Sequence, residues 1–124
     1  DIEYFLFQYY HDNKIVAYSV LKQYKEKKIN RGHIIDIFYN KKIPNLFNFI
    51  IKSNCNYLFK INCQEVELWL QGDTFARNRL NKLDFYVKST RPLISKKLSM
   101  EEELFKNLNK NKWYFTMGDT LEIY

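Results

Sequence analysis

The sequence predicts a mixed α/β (α+β) domain with helices packed on the faces of a mostly antiparallel sheet, in the order β-β-β-α-β-α-β-(α)-β. Three observations carry this. Apolar and aromatic runs at residues 2–10, 15–24 and 33–39 are separated by short polar stretches, as in successive hairpins. From Pro44 the apolar spacing changes to intervals of three and four residues, which is helical. Residues 73–85 then read as one amphipathic helix that follows a short apolar strand and closes on an aromatic, Phe85.

The first two runs flank the polar turn His11-Asp12-Asn13-Lys14, and Val16, Tyr18, Val20 and Lys22 share one face of the second strand. A second turn is expected at Asn30-Arg31-Gly32, before a central strand from His33 to Tyr39 whose β-branched content suits burial. Pro44 suits the first turn of the next helix, where its missing N–H is not needed. Leu46, Phe49, Ile50, Ser53 and Tyr57 mark the expected inner stripe of that helix, which should end before Asn62. Val66 to Leu70 reads as a buried strand and Gly72 as a turn. Asp73 suits an N-cap, its carboxylate accepting from an N–H two or three residues on. Beyond the helix come a strand from Phe85 to about Lys88, a polar segment through Lys97, a short helix from Glu101 to Leu108 and a closing strand from Lys112 to Met117. With no internal repeat or low-complexity linker, residues 1–124 read as a single domain, long enough to bury roughly two thirds of its unfolded surface.

The net charge of +6 and pI near 9.2 suit an anionic partner, whether nucleic acid, an acidic membrane surface or a phosphate-rich cofactor. Part of the excess lies in Lys22, Lys25, Lys27, Lys28 and Arg31, with Tyr24 interleaved, which is suitable chemistry for single strands. No nucleic-acid motif accompanies it, and such runs are usually solvated faces. No apolar stretch reaches the ~18–20 residues of a membrane span, and no charged-then-apolar leader opens the chain, so a cytoplasmic protein is expected. Cys55 and Cys63 lack C-x-x-C spacing and are expected to be reduced thiols. His11 and His33 have no metal-ligand company, so no metal is expected.

In register, residues 73–85 resemble the second conserved motif of the GNAT acyl-CoA N-acyltransferase superfamily, N-x-x-A-x-x-L-Y-x-K-x-G-F. Asp73 stands where the family has Asn, Ala76, Lys82 and Phe85 match, and Leu83 fits the apolar position. Leu80 replaces the tyrosine that often serves as general acid, and Asp84 replaces the helix-ending glycine. The end of the chain, Trp113 to Asp119, is similar to the W-x-x-T-x-G-D ending of GNAT-like proteins associated with polysaccharide synthesis, although Thr120-Leu121-Glu122 departs from the further acidic or small residue usual after it.

The resemblance implies transfer of an acyl group, acetyl foremost, from acyl-CoA to an amine. It implies that the pantothenate arm of CoA lies in a wedge between two strands, here His33 to Tyr39 and Val66 to Leu70, and so assigns Phe38, Tyr39, Asn40, Trp69 and Leu70 to the cofactor, with Asp73 and Ala76 at the motif helix. The family's pyrophosphate loop, Q/R-x-x-G-x-G/A, is replaced by Asn40-Lys41-Lys42-Ile43-Pro44-Asn45. Without glycine, close backbone approach to a phosphate is harder, and Lys41 and Lys42 would hold it by side-chain charge. Asp36 is the one carboxylate inside the third strand and is the candidate base. Desolvation among Ile34, Ile35, Ile37 and Phe38 is the setting that brings a carboxylate toward general-base range. Leu80 cannot donate a proton, which leaves Tyr39 or Tyr86 as substitutes.

A complete GNAT domain starts with a strand and two helices that build much of the acceptor pocket, whereas this chain opens inside an apolar strand. The resemblance therefore implies a domain without those elements and a larger parent chain as partner. Two other functions fit the residues: a non-catalytic binding or scaffold module on the same fold, and a basic nucleic-acid-binding domain.

Overall fold

A computed structural model describes residues 2–68 and 74–87, which fall in two compact units and are taken in turn. In the first, β1 (Ile2–His11), β2 (Lys14–Glu26), β3 (Ile29–Tyr39) and β4 (Glu65–Leu68) form one sheet in that spatial order. The two β2 ladders are antiparallel and β3 pairs β4 in parallel. α1 (Leu46–Lys60) makes the crossover between β3 and β4.

Asp12 and Asn13 both hold left-handed backbone, φ 48° and 60°, which is what a two-residue type I′ turn requires and which Asx residues tolerate best after glycine. The second turn is not at Asn30-Arg31-Gly32 as the sequence suggested. Glu26 pairs with Ile29 across Lys27 and Lys28, and β3 begins four residues before His33. Lys27 takes the positive φ, 57°. Gly32 serves a different purpose: a Cβ there would lie 2.8 Å from both Leu58 methyls. The glycine is where α1 presses on the sheet, so it read as a turn signal but is a close-approach site.

One sheet face is covered by α1. Phe5, Phe7 and Tyr9 of β1, Ala17, Ser19 and Leu21 of β2, and Ile34, Ile37 and Tyr39 of β3 share it, by strand alternation and register. Val20 pairs with Asp36 while Leu21 pairs with Ile34, so Ile35 is an extra residue, a β-bulge. The bulge resets the alternation. Ile34 and Ile37 are both buried under α1, and Asp36 and Phe38 are turned to the opposite face with His33 and Arg31.

The buried stripe of α1 is Leu46, Phe47, Ile50, Ile51, Asn54 and Leu58. The expected stripe is right at Leu46 and Ile50; Phe49 is instead exposed, its ring edge-on to Tyr9 at 6.1 Å. Tyr57 lies at the margin, edge-on to Phe5 and Phe7 at 5.1 and 4.9 Å. Asn54 stands in an apolar row because the sheet meets it with hydroxyls: Tyr9 donates to its Oδ1 at 2.7 Å and Ser19 at 3.1 Å. This buried trio ties the helix to β1 and β2 at one rotation.

α1 ends as predicted before Asn62, through a Schellman motif: Cys63 N–H donates to Leu58 O at 2.9 Å, Asn62 N–H to Phe59 O at 3.0 Å, and Asn62 holds φ 65°. Cys63 is buried and Cys55 half-buried; both thiols are free, and burial pushes both thiol pKa values up.

In the second unit α2 (Thr74–Lys82) repeats that ending. Phe85 N–H donates to Leu80 O at 3.0 Å, Asp84 N–H to Asn81 O at 3.3 Å, and Asp84 holds φ 64°. The strand expected from Phe85 is absent over residues 85–87, because Phe85 belongs to the helix cap. Ala76 is buried, and the Arg79 guanidinium lies over the Phe75 ring at 5.1 Å. Asp84→Gly should raise stability by up to about 1 kcal/mol, since glycine holds a left-handed conformation without the Cβ penalty. A thermal melt checks it, and an unchanged or lower midpoint counts against that strain.

Trp69, Leu70, Gly72 and Asp73, the strand end at Lys88, the helix at 101–108, the strand at 112–117 and the 113–119 motif lie outside the described residues. Among the described residues no helix is long and apolar enough to cross a membrane.

Candidate functional site

β3 delivers its last residues to the start of the βα connection. The Ile35 bulge sends Asp36 to the face away from α1, where it is half-buried beside Val20 and accepts a hydrogen bond from the Tyr18 hydroxyl at 3.0 Å. Tyr18 is directly across from Phe38, with rings stacked at 6.0 Å and 19°. Tyr18 therefore holds both the carboxylate and the aromatic. The sequence pointed to its face and gave no sign of its partner.

Tyr39 alternates to the other face and is buried against Phe47 in the first turn of α1, ring centroids 5.2 Å apart. It pins the end of the strand to the start of the helix. Tyr86 is 83% exposed in the second unit.

Between strand and helix, Asn40 continues the β2 ladder by donating to Val16 O at 2.9 Å. Its Oδ1 accepts the Lys42 N–H at 3.0 Å and its carbonyl the Ile43 N–H at 3.1 Å, an Asx-supported turn. Lys41 and Lys42 are exposed on that turn. Pro44 lies two residues ahead of the helix rather than in its first turn, and Asn45 is the N-cap with φ 60° and ψ 4°. That left-handed conformation is the one a loop glycine supplies, and Asn is among the few other residues that adopt it at low cost.

The Asn45 side chain makes no capping bond. Leu46 N–H reaches Ile43 O at 3.4 Å and Phe49 N–H reaches Asn45 O at 3.0 Å. The N–H groups of Phe47 and Asn48 have no acceptor among the described residues. An uncapped helix start with unpaired N–H groups is a region of positive potential. The sequence carried one cue to it, an Asn before the helix.

The structure thus gathers Asp36, Phe38, Tyr39, Asn40, Lys41 and Lys42 at one end of β3. Trp69, Leu70 and Asp73 lie outside the described residues, and Ala76 is in the other unit. The β3–β4 ladder runs from Arg31 opposite Glu65 to Ile34 opposite Leu68, and β3 continues five residues to Tyr39.

The basic run at 22–31 is divided. Arg31 is ion-paired with Glu26 at 2.9 Å, Glu67 at 3.3 Å and Glu65 at 3.4 Å. Desolvation works against its charge, but Glu26, Glu65, Tyr24 and Glu67 outweigh it and hold the guanidinium pKa above the ordinary arginine value. The Tyr24 hydroxyl lies 3.0 Å from His33 Nε2, and Lys22 Nζ lies 5.2 Å from the Tyr24 ring centre. Tyr24 is thus engaged with two neighbours of its own sheet, its ring edge-on to His33 at 4.8 Å. His33, which looked solitary, is buried 3.5 Å from Glu67. Among the described residues no group of three His, Cys, Asp or Glu is placed to hold a metal ion.

No protein-family model matches this sequence, and no curated protein matches it. The structure does find neighbours. A ribosomal-protein-alanine N-acetyltransferase from Brucella melitensis biovar Abortus superposes with a TM-score of 0.61 at 9% identity, over 75% of this chain and 71% of that one. A Trypanosoma brucei acetyltransferase gives 0.59 at 18%, over 77% and 69%.

The fold is GNAT-like.

An aminoglycoside acetyltransferase from an uncultured soil metagenomic sample, crystallised with sisomicin, gives 0.52 at 13%, over 79% and 66%. At these identities the GNAT-like likeness is one of architecture.

Proposed function

We propose that this chain binds an acyl-CoA, acetyl-CoA foremost, and transfers the acyl group to an amine. The observation that carries the reading is the start of α1. Asn45 takes a left-handed backbone of the kind glycine favours, the first-turn N–H groups of Phe47 and Asn48 have no acceptor among the described residues, and Lys41 and Lys42 sit on the turn before them, at the end of the central strand of a GNAT-like fold. A pyrophosphate is the ligand such an arrangement favours. Phe38, Tyr39 and Asn40 supply the adjoining strand end, with Trp69, Leu70, Asp73 and Ala76 assigned to the cofactor by resemblance.

Asp36, oriented by Tyr18, is the proposed base. It takes a proton from the acceptor amine as the nitrogen attacks the thioester carbonyl. The carbon–sulfur bond then breaks, and the thiolate leaves to be protonated by solvent.

Calorimetric titration with acetyl-CoA tests the reading. Saturable binding is expected, and Lys41→Ala/Lys42→Ala should weaken it by about three- to tenfold, the worth of two exposed charge contacts. The loss should shrink at high salt. A chain that binds no CoA contradicts the proposal, and an unchanged double variant removes the two lysines from it.

A binding module without turnover is the second reading. It is favoured by Leu80, which offers no proton at the end of α2 and whose carbonyl closes the helix cap. CoA binding without acetyl-CoA consumption, with any amine offered, would select it.

A further inference from the structure

α1 carries two overlapping apolar stripes. The buried one is Leu46, Phe47, Ile50, Ile51, Asn54 and Leu58. The other that its spacing offers, Leu46, Phe49, Ile50, Ser53 and Tyr57, is centred roughly 80° away around the helix, at about 100° per residue. Leu46 and Ile50 belong to both, and apolar burial is non-directional, so each seating of the helix has a core to offer. Asn54 is what tells them apart, at the middle of the buried stripe and the margin of the other. Two hydroxyls converge on its Oδ1, from Tyr9 at 2.7 Å and Ser19 at 3.1 Å, and lie 3.5 Å from each other. All three side chains are buried, and Asn54 Nδ2 has no acceptor among the described residues. Turning the amide over gives its N–H groups the hydroxyl oxygens but leaves Oδ1 without a donor, so either orientation strands a polar atom. A buried polar atom without a partner is a cost that leucine in the same place avoids. Stability alone does not account for the residue.

We propose that Tyr9, Ser19 and Asn54 are positioning residues, which select one rotation of α1 at the expense of stability and so fix where the uncapped helix start stands beside Lys41 and Lys42 at the end of β3. The inference rests on the reading of that helix start as the acyl-CoA phosphate site. In the other seating Oδ1 is carried away from both hydroxyls, which lose a buried acceptor, and the same rotation swings the first-turn N–H groups of Phe47 and Asn48 around the helix axis. A polar group in a buried row that sets register at a cost in stability has precedent in coiled coils. The trio touches no ligand and acts through the helix.

Tyr9→Phe/Ser19→Ala/Asn54→Leu tests this. Leucine has the branching of asparagine, and the two deleted hydroxyls leave room for its methyls. The triple variant is expected to melt at or above the parent, whereas Asn54→Leu alone, which leaves two buried hydroxyls without their acceptor, should melt lower. Despite its stability the triple variant should populate the second seating, with NMR amide signals of α1 doubled or broadened by exchange where the parent gives one sharp set. Calorimetric affinity for acetyl-CoA should fall about three- to tenfold, as when the competent seating drops to about a third to a tenth of the molecules. A merely structural trio would move stability and affinity together. A triple variant that melts as low as the single one overturns the proposal, since the trio then stabilises in the ordinary way. One sharp set of α1 signals in the triple variant also overturns it and leaves the rotation to apolar packing and the contact of Leu58 with Gly32. Doubled signals with unchanged affinity detach the trio from the site. A parent chain that binds no acetyl-CoA contradicts the functional reading instead, and the α1 signals then decide the selection of rotation by themselves.

Discussion

Gly32→Ala is expected to destabilise the chain by about 1–3 kcal/mol, an overpacking cost, although alanine is otherwise the milder residue for a strand. The added methyl would lie 2.8 Å from two Leu58 carbons and 3.1 Å from a third, and Leu58 is fully buried. Leu58 also holds the position whose carbonyl closes α1, so it yields only by shifting the helix end. Leu58→Ala alone should cost about 2–5 kcal/mol through the cavity it leaves. The decisive variant is the double one. With Leu58 shortened, the methyl at position 32 enters the vacated space, and Gly32→Ala should become nearly neutral, a coupling of about 1–3 kcal/mol between the two sites. Urea denaturation of the four proteins measures it. Additive effects would mean that the glycine is required for another reason.

That contact explains why the sequence misplaced a turn. Gly32 beside Asn30 has turn composition, and nothing within ten residues reveals a leucine twenty-six positions later. The hairpin at Asp12-Asn13 was legible because its cause is local: two residues tolerant of left-handed backbone between two apolar runs. The order of the six described elements, from β1 to α2, was legible for the same reason, since periodicity is a property of each segment. Asn54 was not, because a polar residue in a buried row reads as a break until Tyr9 and Ser19, from two other strands, are brought to it.

Asn45, Asn62 and Asp84 show a related limit. Each takes the left-handed conformation that glycine-based motifs lead one to seek in glycine. A pattern match scores Asp84 and the glycine-free loop as departures, although Asp84 and Asn45 both hold a left-handed backbone of the kind glycine adopts most readily. The candidate site was legible as far as Asp36, Lys41 and Lys42, which its own strand and loop carry. Tyr18 was hidden, because its pairing with Asp36 depends on the Ile35 bulge, and a one-residue shift in alternation leaves no mark in composition.

Asp36→Asn should lower the rate of amine acylation by about 10²–10⁴, the usual contribution of a positioned general base, while leaving acetyl-CoA affinity unchanged. The amide is nearly isosteric and sits on the sheet face opposite α1, so its effect on packing is small. Tyr18→Phe separates orientation from chemistry. It removes the 3.0 Å hydrogen bond to the carboxylate but keeps the ring on Phe38. Loss of one hydrogen bond to a charged group, about 1.5–3 kcal/mol, corresponds to about a ten- to hundredfold fall in kcat with little change in the KM for acetyl-CoA. In the Asp36→Asn background the same change should have almost no effect, because a residue that acts through the carboxylate has nothing left to orient. Equal losses from Tyr18→Phe in both backgrounds would give Tyr18 a role of its own and detach it from Asp36. Full activity in Asp36→Asn would move the base elsewhere.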